Sequence, residues 1–183
     1  MPLPQFLEHH DAGAPSLAPD FFTRPPPPGR SRESTITLDA EGVFHHDGER
    51  IEHPRLAEAM HRWIARHPLD GRLILNNGYD WTYFVVADAP YAVRALTEDA
   101  DGFPVLVLSD GTTEPLGAQV RLGARDVLYA EVKRGAPGGP FEARFSRHAQ
   151  SQLGPHLTSD PGQAEGDEVI AVRTRGGTVR LPL

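Results

Sequence analysis

The chain has 183 residues, 39% of them hydrophobic, enough for one domain or for two small, intimately packed ones. Its formal charge of −7 excludes a general polyanion binder, so no nucleic-acid partner is expected. With no cysteine there is no disulfide, thiol nucleophile or thiolate metal site; no apolar run approaches a membrane helix and no secretory leader opens the chain, so a soluble, cytoplasmic protein without a membrane partner is expected.

Residues 1–33 read as a flexible, proline-rich tail. The run Pro25–Pro28 favours extended polyproline II and removes backbone donors, as a semi-rigid linker or a proline-motif ligand would. Within the tail, Asp20-Phe21-Phe22 is the stretch with reason to leave water and anchor on the domain. Thr35–Asp39 and Gly42–His46 alternate as strands, and Asp47-Gly48 is a hairpin dipeptide. Pro54 suits a first helical position, and Leu56, Met60, Trp63, Ile64 and His67 recur at helical spacing until Pro68 and Gly71. Arg72–Asn76 and Trp81–Val86 are strands joined across Asn77-Gly78, the strongest hairpin signal in the chain.

Further on, Tyr91–Leu96 alternates again. Asp99 to Gly102 begins like a calcium loop, but Phe103 and Pro104 stand where oxygen ligands should come, so it reads as a turn. Val105–Leu108, Gln119–Leu122 and Asp126–Lys133 read as strands, Lys133–Gly139 as a glycine-rich loop and Phe141–Phe145 as a strand. Ser146 is a good N-cap for a helix that Gly154-Pro155 ends. After a polar loop over Thr158–Gly166, Val169–Arg173 and Thr178–Leu181 close the chain as a hairpin across Gly176-Gly177. Strands, a short amphipathic helix and a glycine-turned hairpin thus occur in both halves. The expected fold is α+β and mostly β: two similar half-units, each of short antiparallel strands plus one amphipathic helix, packed together. The expected boundaries are 1–33 for the tail, 34–98 for the first unit and 99–183 for the second.

The string DAEGVFHHDGERIEHPRLAEAM from Asp39 to Met60 resembles the N-terminal signature of the bacterial domain-of-unknown-function 1285 (DUF1285) family. VADAP at Val86–Pro90, ARFSRHAQSQL at Ala143–Leu153 and the ending VIAVRTRGGTVRLPL are similar to it as well, so the resemblance runs from about Thr35 to Leu183. It implies an unusual α+β fold with repeated motifs and an unproven role in signal transduction. It carries no established catalytic residues. The family more often has Trp where Phe44 stands and a lysine-containing strand at Asp80-Trp81.

Nine histidines invite a metal, yet none pairs with another at a ligand spacing, and His45 and His46 point to opposite faces of one strand. No metal or cofactor is therefore assigned. No nucleophile elbow, P-loop or dinucleotide fingerprint occurs, so no catalytic residue is assigned either. Trp81 and Tyr83 share a strand face, as a stacking platform or as aromatic core. Were the halves to leave a groove, Asn76, Asp80, Trp81 and Tyr83, with His46 from an adjoining strand and Arg144 from the second half, would hold an anionic or amphipathic small molecule. The reading is a non-catalytic small-ligand-binding or signalling module whose partner is an unknown small molecule or protein. The alternative is a small hydrolase using a His and an Asp on water or a metal.

Overall fold

The computed structural model describes residues 19–159 and 170–181. These divide into two compact units, residues 19–90 with Gly135–Pro140, and residues 91–134 with 141–159 and 170–181.

The first unit opens with α1 (Pro19–Thr23), then β1 (Glu33–Leu38), β2 (Phe44–His46), β3 (Glu49–Arg50), α2 (Pro54–Arg62), β4 (Ile64–Arg66), β5 (Leu73–Asn76) and β6 (Trp81–Val86). Its sheet runs β3-β2-β1-β6-β5-β4. Two antiparallel meanders are therefore joined where β1 lies parallel to β6. The Asp47-Gly48 turn works as its dipeptide predicts, with φ of 52° and 81° and His46 opposite Glu49. In α2, His53 is the N-cap, its Nδ1 accepting from Leu56 N at 3.2 Å, and Pro54 follows it. The helix buries Leu56, Ala59, Met60 and His61.

The helix does not run on to His67. It ends at Arg62, Trp63 caps it, and Ile64–Arg66 is a strand with Ile64 opposite Leu75. Trp63 O accepts from Asn76 N at 2.8 Å, so β5 claims the backbone that a further turn would have used. Trp63 and Ile64 suit an apolar helix face and a buried strand equally; the partner strand decides.

In the second unit, β7 (Tyr91–Glu98), β8 (Pro104–Leu108), β9 (Thr113–Pro115), β10 (Val120–Leu122), β11 (Leu128–Val132) and β12 (Phe141–Phe145) form a sheet ordered β10-β11-β12-β7-β8-β9. This is the first sheet's plan again: two antiparallel meanders joined by a parallel pair, here β7 with β12. The similarity of the halves lies in that strand order. Ser146 caps α3 (Arg147–Ser151), its Oγ accepting from Ala149 N at 3.1 Å, and β13 (Leu157–Ser159), β14 (Ile170–Thr174) and β15 (Gly177–Leu181) form a separate antiparallel sheet. The fold is thus mostly β, with short helices. No described helix is long and apolar enough to cross a membrane.

Order in the first unit begins before residue 34. Phe21 and Phe22 are 4% and 8% exposed, clustered with Ala65, Ile74, Trp81 and Tyr83. Arg32 ties the following segment down: Nη2 donates to the carbonyls of Arg24 and Pro25, while Nη1 reaches the Asp80 carboxylate and Trp81 O. Residues 1–18 of the expected tail lie outside the described residues.

Candidate functional site in the first unit

The turn from β4 to β5 is closed at both ends. His67 N donates to Arg72 O at 2.8 Å, and Gly71 N donates to His67 O at 2.9 Å. Leu69 at its tip is 77% exposed, whereas His67 at its base is 6% exposed. The His67 ring lies 4.7 Å from Trp81, and 5.6 Å from both Phe22 and Tyr83, measured between centroids. Beside it opens a pocket of about 430 Å³. Phe22 of α1 forms one wall and the turn residues Pro68 and Leu69 another. Pro137 and Gly138 supply a third, against a floor of Ala65, Arg66 and Asn76. Gly138 has φ of 77°, and a Cβ there would fall 2.8 Å from Arg66 Cβ and 3.0 Å from Arg66 N, so only glycine lets the loop close so tightly.

The electrostatics around His67 are ordered by Asp70. Tyr83 donates its hydroxyl to Asp70 Oδ2 at 2.7 Å, and Asp70 Oδ1 accepts from Arg72 N at 3.0 Å. That hydroxyl, together with the Arg72 N–H and the nearby charges, holds the Asp70 carboxyl below its ordinary range. Burial first, then the bond to Asp70, pushes the Tyr83 hydroxyl up to about 12. Arg72 stacks on the Tyr83 ring at 3.7 Å and is bidentate to Glu33 at 2.7 and 2.9 Å. His67 Nδ1 is 3.2 Å from Asp70 Oδ1, but too oblique for a hydrogen bond, and Nε2 has no partner either. A buried imidazole with neither nitrogen hydrogen-bonded is costly, by about 1–3 kcal/mol per unsatisfied group.

Of the six residues singled out from the sequence, four meet on the β5–β6 hairpin. Asn76 is buried on the pocket floor, and its Oδ1 accepts from Gly78 N at 2.9 Å, so its first task is the turn. Asp80 is ion-paired with Arg32. Trp81 and Tyr83 do share a face, with rings 5.2 Å apart, but both are buried at 5% and 9% exposure and stand behind the pocket as core. His46 lies on β2, separated from β6 by β1, and its nearest acid is Asp47 at 3.6 Å. Arg144 belongs to the second unit, half-buried on β12 opposite Tyr129.

The sequence reading missed His67, Asp70 and Phe22 as site residues. Phe21-Phe22 and the glycines at 135–139 were visible signals, but nothing in sequence links them to a turn near residue 69. Among the described residues, no group of three or more His, Asp or Glu is placed to hold a metal ion. The chain's single lysine, Lys133, is engaged in the second unit, with Nζ 2.7 Å from Asp110 Oδ2 and 3.5 Å from Glu114 Oε1.

Neither a family model nor a curated protein matches the chain. Two solved structures do. A DUF1285 family protein from Silicibacter pomeroyi DSS-3 is 16% identical with a TM-score of 0.63, over 82% of this chain and 80% of that one. A DUF1285 family protein from Shewanella baltica OS155 is also 16% identical, with a TM-score of 0.53 over 67% of this chain and 91% of that one. The chain has a DUF1285-like fold, as the motifs from Asp39 onward imply. These neighbours bring no activity or ligand with them, and nothing in them bears on signal transduction.

Proposed function

We propose that this protein is a non-catalytic binding module for a small molecule, and that the site is the first-unit pocket beside His67. The observation that carries the reading is the His67 side chain: 94% of it is withdrawn from water, its nitrogens lack hydrogen bonds, and it lines a cavity large enough for a ligand. A protein that buries an imidazole without a partner leaves stability unused unless something else completes it. Aromatic and apolar walls around a few convergent polar groups are the usual make-up of such sites.

A thermal-shift screen of small amphipathic molecules on wild type and on His67→Phe tests this. Compounds that raise the wild-type Tm by several degrees and leave His67→Phe unmoved are the expected result. A screen with no stabilising compound, or equal shifts in both proteins, removes the pocket as a site.

The 3.2 Å approach of His67 to Asp70 also favours a second reading, a hydrolase in which Asp70 orients His67 as general base. No hydroxyl side chain lines the pocket, so water would have to be the nucleophile. Ester or amide turnover by wild type that His67→Gln abolishes would establish it over the binding module.

A further inference from the structure

We infer that the ligand is a small monocarboxylate with an apolar body; this deepens the binding-module reading and rests on it. Charge comes first. Among the side chains lining the pocket, Arg66 is the cation and no carboxylate is present. The nearest acid, Asp70, is turned away: Oδ2 takes the Tyr83 hydroxyl, and Oδ1 lies on the Nδ1 side of the His67 ring at 3.2 Å. Nε2, buried and without a hydrogen-bond partner, is the nitrogen left for a ligand oxygen.

The rest of the wall is apolar, and about 430 Å³ lies at the lower end of the roughly 300–1,000 Å³ typical of small-molecule sites. An aromatic or branched aliphatic body would lie on Phe22 and Pro68 and would cover Leu69, whose side chain otherwise stands in water.

Isothermal titration of the full chain at low salt with matched pairs tests the class: phenylacetate against phenylacetamide, and 4-methylpentanoate against 4-methylpentanamide. The acids should bind about tenfold more tightly than their amides. Arg66→Gln, which removes the pocket's cation and its Nη1 bond to Gly71 O, should close that gap by weakening the acids more than the amides. Amides that bind as well as acids overturn the carboxylate inference and leave the pocket reading standing. If no member of any pair binds and the wider screen is also blank, the pocket reading falls and this inference with it.

Discussion

Tyr83 gives its hydroxyl hydrogen to Asp70 Oδ2 over 2.7 Å, joining the face of β6 to the β4–β5 turn that carries His67. The bond has a consequence at each end of the pH scale. Tyr83 holds its proton more tightly when folded, so the stability it contributes is full below pH 10 and is lost as pH rises from 10 towards 12. Asp70 is depressed below its ordinary 3.8, so its contribution is present above that value and is lost as pH falls through the lower, folded one. Urea midpoints measured across pH should therefore decline at both extremes in wild type and decline less steeply at both in Tyr83→Phe. Some alkaline loss should persist, because burial also raises Tyr91. Parallel curves would show that the bond contributes nothing.

The second prediction concerns α1. Phe21 and Phe22 pack edge to face at 5.3 Å and contact a core containing Trp81 and Tyr83. Phe21→Ala should lower stability by about 3 kcal/mol, within the range for truncating a buried aromatic ring. Phe22→Ala should cost a similar amount and should also weaken binding of any ligand the pocket accepts, because its ring is a wall. Chemical denaturation reads the first effect and calorimetric titration the second. Losses below about 1 kcal/mol for both would mean that α1 only rests on the unit.

Lys133 is the subject of the third. Its side chain is 14% exposed, and that of Asp110 beside it 5%. Burial alone would raise the Asp110 carboxyl, but hydrogen bonds from Lys133 and Thr112 outweigh it and hold the group below its ordinary value. Stability from Asp110 is therefore present above pH 3.8 and lost as pH falls below it. Asp110→Asn leaves the ammonium short of its counter-charge and should cost about 3 kcal/mol at neutral pH, with a smaller penalty at pH 3. Equal penalties at the two pH values would contradict the ion-pair account.

How far the sequence reveals this molecule depends on the range of the interaction that makes each part. Local chemistry carries Asp47-Gly48, Pro54 and Ser146, and each does in the structure what its residue type requires; Asn77-Gly78 does join β5 to β6, but within a loop from Asn77 to Asp80 in which Gly78 alone of the two takes a positive φ. Long-range pairing is different. The parallel contacts β1–β6 and β7–β12, which define the repeated sheet plan, join residues about 50 apart and leave no periodic trace. His67 shows the same limit on a small scale: helical spacing and a strand end are both compatible with Trp63, Ile64 and His67, and the pairing of Ile64 with Leu75 chooses. Trp81, Tyr83 and Asn76 were legible as neighbours because one hairpin holds them. Which of their faces meets a cavity depends on Phe22 and Gly138, from segments far apart in sequence.

The most direct measurement is a crystallographic fragment soak of the full chain with small aromatic and branched aliphatic acids. The account predicts density between Phe22 and the Pro137–Gly138 loop, with a fragment oxygen within hydrogen-bond distance of His67 Nε2. Fragments that settle elsewhere on the molecule while this pocket stays empty would contradict it.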